Sequence, residues 1–233
     1  MKIFICENAD EIAHLCAQKV INLIKRKEDA ILGLATGSSP QKTYQQIIEL
    51  SKQNNISFKN IKTFNLDEYV DYKEEKDSYE FFMKENLFLE LDINLKNTNF
   101  PNKQNINNYD YLIKEAGGID LQILGIGTNG HIAFNEPGTP FDSNTHIVNL
   151  TEQTIKDNSR FFTTIDDVPK QAYTMGLSSI YKAKEIILIA TGKNKKKAIE
   201  TLIKENKDIS CPASILKDHP NVTLFLDYDC API

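Results

Sequence analysis

A histidine and a glutamate lie five residues apart in a glycine-rich segment, GIGTNGHIAFNEPG (residues 125–138). Histidine is the usual acid and base near neutral pH, and a neighbouring carboxylate can fix its tautomer and increase its basicity. His131 and Glu136 therefore have the residue types for proton transfer, with Asn129 as a further polar side chain beside them. The alternative is a core histidine next to a flexible turn. Asn129, Asn135 and Glu136 make the neighbourhood too polar for an ordinary core, which favours a functional histidine.

Two adjacent carboxylates follow an apolar run in the segment TFNLDEYV (residues 63–70). If that run is a strand, Asp67 and Glu68 lie immediately after it, and one of the two carboxylates should reach the ligand crevice. A partly desolvated carboxylate there can move a proton to and from carbon, so either residue is a candidate base. The alternative is a helix cap or a solvated turn, which the pattern alone favours for Asp67 and Glu68.

A third segment, LGLATGSSP (residues 32–40), places hydroxyls and a glycine between an apolar run and the start of a helix. Backbone N–H groups and the positive end of the helix dipole favour an anion at such a place. The candidate phosphate ligands are Thr36, Gly37, Ser38 and Ser39. The segment is neither a Walker loop nor a G-x-G-x-x-G fingerprint, and an ordinary capped turn is equally compatible with it.

Basic side chains that could complete an anion site occur in two later segments. Arg160 lies in NSRFF, and Lys193, Lys195, Lys196 and Lys197 follow a Thr-Gly turn. An arginine fork and a lysine charge are common partners of phosphate. We expect most of the lysine run to be a solvated helix face.

Apolar runs that alternate with helical patterns indicate how these side chains are positioned. Runs typical of strands buried on both faces occur at residues 30–35, 61–66, 121–126, 185–190 and 222–226. Helical spacing between them, first at residues 10–25, predicts an α/β fold: a three-layer, Rossmann-like, mostly parallel sheet with helices on both faces. Ligands of such sheets bind beyond the carboxyl ends of the strands, where the candidate residues fall. We expect residues 77–80 to be a capping box and residues 94–108 a solvated connection.

The overall composition is that of an ordinary globular chain. Of 233 residues, 41% are hydrophobic and 25% are charged, which excludes collagen-like, coiled-coil and wholly disordered chains. The net charge of −5 argues against a general binder of nucleic acid or of membrane surfaces. The cysteines show no zinc-ligand spacing, so no metal site is predicted. We expect one domain over residues 1–233 and, because the sequence shows neither a signal peptide nor a membrane span, a cytoplasmic location.

Together these segments resemble the glucosamine-6-phosphate deaminase family. LGLATGSSP, TFNLDEY, NGHIAFNEPGTPF, NSRFF, VPKQAYTMGL and the turn IATG-x-x-K follow one another in the order of that family. The resemblance implies a reaction in which glucosamine 6-phosphate is ring-opened, isomerised from aldose to ketose and deaminated to fructose 6-phosphate and ammonia. It also implies that neither a metal nor an organic cofactor takes part.

The resemblance assigns a role to each candidate residue. Asp67 matches the base that moves a proton between carbons 2 and 1. His131 matches the acid and base of ring opening, supported by Glu136 and Asn129. The residues that match the phosphate pocket are Thr36, Gly37, Ser38, Ser39, Arg160 and Lys195.

One departure from the family pattern concerns Asn129. Many members have aspartate at this position, although a shorter-chain branch of the family also has asparagine. Asparagine can accept a hydrogen bond from the imidazole but brings no negative charge. We therefore expect His131 to depend mainly on Glu136 for electrostatic support.

A second departure concerns regulation. Longer members are hexamers that N-acetylglucosamine 6-phosphate activates through basic residues between subunits. This chain has His146 and Val148 at two of those positions, and its sequence ends at Ile233, just after the last predicted strand. We therefore expect a monomer or a small homo-oligomer without an allosteric activator.

Residues 157–170, which include Arg160 and Pro169, are expected to form part of a mobile lid over the sugar. Rival functions are a 6-phosphogluconolactonase, a ribose-phosphate isomerase and a non-catalytic sugar-phosphate sensor. The first two share the fold but explain the FNEPG segment less well. A sensor would not need Asp67, His131 and Glu136 together.

Overall fold

The computed structural model describes residues 1–204 and 206–232, and Ile233, at which the sequence ends, lies outside the described residues. Within these ranges the strands are β1 (Lys2–Cys6), β2 (Ile31–Leu34), β3 (Lys62–Asn65), β4 (Asp67–Tyr69), β5 (Thr98–Asn99), β6 (Leu121–Leu124), β7 (His146–Asn149), β8 (Gln171–Thr174), β9 (Ile186–Ala190) and β10 (Val222–Asp227). The α-helices there are α1 (Ala9–Arg26), α2 (Ser38–Asn54), α3 (Tyr79–Asn86), α4 (Tyr109–Glu115), α5 (Glu152–Asn158), α6 (Leu177–Tyr181) and α7 (Lys196–Lys204).

The main sheet is parallel throughout the described part of the chain, where its seven strands follow the order β1-β10-β9-β6-β2-β3-β5. Successive residues of a strand point to opposite faces, so the apolar strands feed two cores. In β9, Ile186 and Leu188 join one core and Ile187 and Ile189 join the other. The predicted parallel α/β sheet is confirmed.

Helices cover both faces of this sheet. α1 buries Ile12, Cys16 and Val20, which recur at the spacing of one helical face, and it packs with α2 on one side. The other side is covered by α4, α6 and α7, whose buried residues include Tyr109 and Leu202. The three layers expected from the sequence are therefore present.

A smaller antiparallel sheet, in the order β4-β8-β7, was not predicted. The chain leaves the main sheet at Leu66, whose N–H donates to Leu34 O, and enters the smaller sheet at Asp67. Its strands have the sequences DEY, HIVN and QAYT, and these short segments lack the continuous apolar run by which the strands of the main sheet are recognised. The smaller sheet matters for function because Asp67 is the first residue of its strand β4.

The predicted capping box at residues 77–80 is wrong in detail. Ser78 is the N-cap of α3 and accepts a hydrogen bond from the N–H of Phe81. Asp77 instead forms a capping box with Glu74 in the preceding 3₁₀ turn, Glu75–Asp77. Two short helical elements follow one another here, and each has a cap of its own.

Residues 94–108 also differ from the expected solvated connection. They contain the edge strand β5, which pairs with β3. Phe100 and Ile106 are buried, and these apolar anchors hold the segment against the body of the protein. The segment therefore completes the sheet on this side.

The described residues contain neither a metal cluster nor a membrane span. In residues 1–204 and 206–232, no helix is long and apolar enough to cross a membrane. No group of three or more His, Cys, Asp or Glu side chains in those ranges is placed to hold a metal ion. The four cysteines are all buried, as expected of structural thiols.

Candidate active site

Four neighbouring strands, β9, β6, β2 and β3, end at one cavity of about 730 Å³. This volume suits a ligand of the size of a small metabolite. The predicted site residues that line the cavity are Thr36, Gly37, Ser38, Ser39, Asp67, His131, Arg160 and Lys195. Asn129 and Glu136 do not line it, but they contact His131 from behind. The fold thus brings together the side chains that the sequence singled out.

Asp67 is a buried carboxylate that faces the cavity and is only 7% exposed. Within the described residues, no hydrogen bond to this carboxylate is formed. Burial, with a smaller contribution from the neighbouring charge of Glu68, raises the pKa of Asp67 to about 8. A carboxylate of this kind is a stronger base than one in water, and it becomes ionised close to neutral pH.

Glu68, the next residue, has a different role. Its carboxylate accepts hydrogen bonds from the backbone N–H groups of Tyr69 at 2.8 Å, Tyr79 at 2.9 Å and Glu80 at 2.9 Å. Burial raises the pKa of Glu68 to about 7, although these three hydrogen bonds act in the opposite direction. The helix-cap role that the sequence left open for both carboxylates therefore belongs to Glu68, which binds the first turn of α3.

His131 is held through a chain of hydrogen bonds to Asn129 and Glu136. Nδ1 of His131 lies 2.8 Å from Oδ1 of Asn129, and the amide nitrogen of Asn129 donates to Oε2 of Glu136 at 2.8 Å. The imidazole Nδ1 is 3.6 Å from the same Oε2. Asn129 is therefore the direct partner of His131, and the charge of Glu136 acts from behind it.

The ionised state of Glu136 determines which group donates in each hydrogen bond between His131, Asn129 and Glu136. Burial raises its pKa, but the nearby imidazole of His131 and hydrogen bonds from Thr154 and Asn129 outweigh burial and lower it to about 2. An ionised carboxylate only accepts hydrogen bonds, so the Asn129 NH₂ group must face it and the Asn129 oxygen must face His131. The proton of a neutral His131 then lies on Nδ1, which leaves Nε2 to exchange protons in the cavity.

Glycine is required at position 127 by the position of the imidazole. A Cβ atom at Gly127 would lie 2.1 Å from a ring atom of His131. The turn is closed by a hydrogen bond of 2.8 Å from the N–H of Gly127 to the carbonyl of His131. Gly127 therefore leaves room for the ring rather than only loosening the backbone.

The predicted phosphate loop ends β2 and begins α2. Gly37 has φ +91°, a conformation that favours glycine, and as N-cap it offers no side chain to the first turn of the helix. Tyr44 holds the start of the loop: its hydroxyl accepts from the N–H of Ala35 at 3.2 Å and donates to the Ala35 carbonyl. The beginning of α2 thus lines the cavity without a side-chain cap, and the N–H groups of a helix start favour an anion at such a place.

Two cations also line the cavity. Arg160 stacks over the ring of Phe161 at 4.7 Å, and Lys195 is half-buried. Burial lowers the pKa of Lys195, and the Arg160 charge acts in the same direction, whereas Asp157 opposes it. The neighbouring Lys193 and Lys197 are exposed, as expected for most of the lysine run.

Helix α5 contributes side chains that the sequence did not single out. Thr154 donates a hydrogen bond of 2.5 Å to Oε1 of Glu136, and Asn158 donates one of 2.9 Å to the hydroxyl of Tyr69. The expected lid at residues 157–170 corresponds to the end of α5 and two 3₁₀ turns, and its beginning lines the cavity. Its mobility stays a prediction.

A family model described as glucosamine-6-phosphate isomerases/6-phosphogluconolactonase matches residues 6–225. The chain belongs to this family. The match covers every residue that lines the cavity, from Ala35 to Lys195.

Relatives in the family are similar over their whole length. Glucosamine-6-phosphate deaminase of Mycoplasma mycoides subsp. mycoides is 52% identical, covering 99% of this chain and 96% of that protein. The enzyme of the same name from Oceanobacillus iheyensis is 48% identical, covering 97% and 94%. The solved structure of a monomeric glucosamine-6-phosphate deaminase has a TM-score of 0.96 at 42% identity, covering 99% of this chain and 98% of that one. The 6-phosphogluconolactonase of Leishmania guyanensis, at 17% identity and a TM-score of 0.77, shares the fold.

Proposed function

We propose that the protein converts glucosamine 6-phosphate and water to fructose 6-phosphate and ammonia. The observation that carries the proposal is a single cavity that holds a buried carboxylate base, Asp67, a histidine with a fixed tautomer, His131, and a cationic anion site. The similarity to deaminases at 52% and 48% identity supports the same reaction.

The phosphate is bound at the end of the cavity that the α2 N-terminus faces. Backbone N–H groups of residues 36–39 and their hydroxyls donate to the phosphate oxygens, and Arg160 and Lys195 add charge-assisted hydrogen bonds. The two cations repel one another, and a dianion between them removes that repulsion. Anchoring the phosphate fixes the sugar so that its reacting carbons lie near the base.

Ring opening uses His131. Nε2 takes the proton of the anomeric hydroxyl and delivers a proton to the ring oxygen, so that one imidazole serves as base and then as acid. The bonds from Nδ1 to Asn129 and from Asn129 to Glu136 support the imidazolium that forms between these two steps.

Isomerisation uses Asp67. The carboxylate removes the proton from carbon 2 of the open chain, which gives an enolamine, and returns it to carbon 1, which gives an iminium at carbon 2. Water adds to that carbon and ammonia leaves, so the product is the 2-ketose phosphate. A pKa of about 8 suits this role because the acid that forms on the first transfer still gives its proton back.

The decisive experiment measures ammonia and fructose 6-phosphate released from glucosamine 6-phosphate by the wild type and by Asp67→Asn. The wild type should release both in equal amounts, and the variant should lose roughly 10²- to 10⁴-fold in kcat. Equal activity of the two would reject the mechanism. Hydrolysis of 6-phosphogluconolactone without release of ammonia would favour the lactonase function instead.

We also propose a single catalytic domain, residues 1–233, that works as a monomer or small homo-oligomer without an allosteric activator. A deaminase described as monomeric, 42% identical to this chain, supports the simple assembly. His146 and Val148 carry no permanent positive charge for a second phosphate. Sedimentation gives the assembly, and velocity curves with and without N-acetylglucosamine 6-phosphate should be hyperbolic and superimposable. The cytoplasmic location stays a prediction.

A further inference from the structure

Helix α5 forms part of the cavity wall, with Thr154 and Asn158 among the lining residues, and it connects two parts of the site. It has seven residues, Glu152–Asn158, which is too short to be stable on its own, so its position depends on contacts with the rest of the protein. Most of its side chains are exposed or half-buried, but Thr154 is buried. Thr154, in its N-terminal half, contacts Glu136, which supports His131. Asn158, at its C-terminal end, contacts Tyr69 in β4, the strand that also contains Asp67.

The first anchor is the hydroxyl of Thr154. It donates to Oε1 of Glu136 at 2.5 Å, while Oε2 of the same carboxylate accepts from Asn129. The hydroxyl has one proton, so the hydrogen bond of 2.9 Å between Thr154 and Thr151 must be donated by Thr151. Thr154 therefore fixes the rotation of the Glu136 carboxylate, and with it the oxygen that orients Asn129 and His131.

The second anchor is the amide of Asn158, which donates to the hydroxyl of Tyr69 at 2.9 Å. Tyr69 follows Asp67 by two residues in β4, so the two side chains belong to the same face of that strand. The Tyr69 ring is fixed among Tyr79 and Phe162, at centroid distances of 4.6 and 5.6 Å. Arg160 lies two residues after Asn158. The bond from Asn158 to Tyr69 therefore also restricts the position of Arg160, the arginine of the proposed phosphate site.

We propose that α5 is a strap that sets the spacing between the ring-opening group, the carbon base and the phosphate site, with Thr154, Asn158 and Tyr69 as its positioning residues. The inference rests on the proposed function. Thr154 acts through Glu136 and therefore on the chemical step. The Asn158–Tyr69 pair acts through the position of Arg160 and therefore on binding of the sugar phosphate.

The Thr154 end is tested with Thr154→Val, which keeps the shape and removes the hydroxyl, and with Thr154→Ser, which restores it. With glucosamine 6-phosphate, Thr154→Val should lower kcat roughly 10-fold or more with KM nearly unchanged, since a hydrogen bond to a charged group is lost. Thr154→Ser should recover most of kcat. Equal kcat in Thr154→Val and the wild type, or a serine variant no better than the valine variant, would overturn this end of the strap.

The other end is tested with Tyr69→Phe and Asn158→Ala. Each should raise KM roughly 3- to 10-fold with little change in kcat, and the double variant should be no worse than Tyr69→Phe alone, because Tyr69→Phe already removes the bond from Asn158. Tyr181→Phe is the matched control: its hydroxyl bonds to the Asp218 carbonyl at 2.9 Å, away from the cavity, and its loss should leave KM unchanged.

The outcomes separate this inference from the proposed function. Failure of the wild type to release ammonia would reject the function itself. Release of ammonia by the wild type with additive effects in the Tyr69→Phe/Asn158→Ala double variant, or with unchanged KM in both single variants, would reject only the strap. Thermal unfolding of each variant shows whether a change in kcat or KM arises from a loss of folded protein.

Discussion

Asn129 donates a hydrogen bond of 2.8 Å from its amide nitrogen to Oε2 of Glu136. The neutral amide therefore stands between the imidazole of His131 and the carboxylate that supports it. An aspartate at this position would place a carboxylate in direct contact with the imidazole. The asparagine keeps the orientation of the histidine but moves the negative charge further from the ring.

The variant Asn129→Asp should therefore keep measurable turnover and shift the pH profile of kcat to higher pH. The added anion favours the protonated imidazole, because it lies at hydrogen-bond distance from Nδ1. The measurement is kcat for glucosamine 6-phosphate as a function of pH. The control is Asn54→Asp at the end of α2, an exposed position where the profile should not move. An unchanged profile in Asn129→Asp would contradict the charge argument.

The pH dependence of kcat/KM should report the ionisation of Asp67. Since its pKa is raised to about 8, kcat/KM should increase with pH up to that value and then level off. Glu68→Gln removes the neighbouring charge that contributes to the raised pKa, so the increase should occur at lower pH. Glu49→Gln, on the exposed surface of α2, is the control and should match the wild type. If kcat/KM of Glu68→Gln increases at the same pH as in the wild type or at a higher pH, the ionisation does not belong to Asp67.

The same pKa makes a prediction about stability. The folded-state pKa of about 8 lies above the ordinary value of 3.8, so the folded protein keeps a proton that the unfolded chain releases. Asp67 therefore contributes a decrease in the free energy of unfolding as the pH rises from about 4 to about 8. In Asp67→Asn this contribution is absent. Denaturant unfolding at about pH 5 and about pH 8 should show the variant gaining stability relative to the wild type at the higher pH; a constant difference would refute the prediction.

Variants of the lysine run distinguish a specific contact with the phosphate from a general attraction by surface charge. Lys195 lines the cavity, whereas Lys193 and Lys197 are exposed outside it. Lys195→Ala should raise KM for glucosamine 6-phosphate roughly 10- to 100-fold, since a charge-assisted hydrogen bond to phosphate is lost, and it should change kcat less. Lys193→Ala and Lys197→Ala change the net charge equally and should leave KM near the wild-type value. Similar effects of all three would mean that the attraction is general rather than local.

Gly127→Ala tests the placement of the imidazole. The added Cβ would lie 2.1 Å from the ring of His131, so the ring must move. A displacement of about 1 Å at a reacting group typically costs about 10²-fold in rate, and we expect a loss of that order in kcat. Thermal unfolding should show that the variant is folded. Full activity in a folded variant would mean that the position of the ring tolerates the shift.

The sequence by itself determined the central strands of the main sheet and the end of that sheet at which the site lies. Runs such as residues 185–190 are apolar at every position, which predicts a strand buried on both faces, and such strands are parallel and central. The side chains that follow these runs must then lie at the carboxyl ends of the strands, and this placed Asp67, His131 and Lys195 together. The motifs also carried enough specific residues to indicate the family.

Only the tertiary structure decided between side chains with the same chemistry. Asp67 and Glu68 are adjacent carboxylates, and apart from the family resemblance neither residue type nor spacing separates their roles. The alternation of β4 and the arrival of α3 next to it give three N–H groups to Glu68 and none to Asp67. The roles of Thr154 and Asn158 depend on contacts across 18 and 89 positions of the chain, which local periodicity does not encode. A side chain's type is local, but its hydrogen-bond partners and burial, and therefore its pKa, depend on which distant segments pack against it.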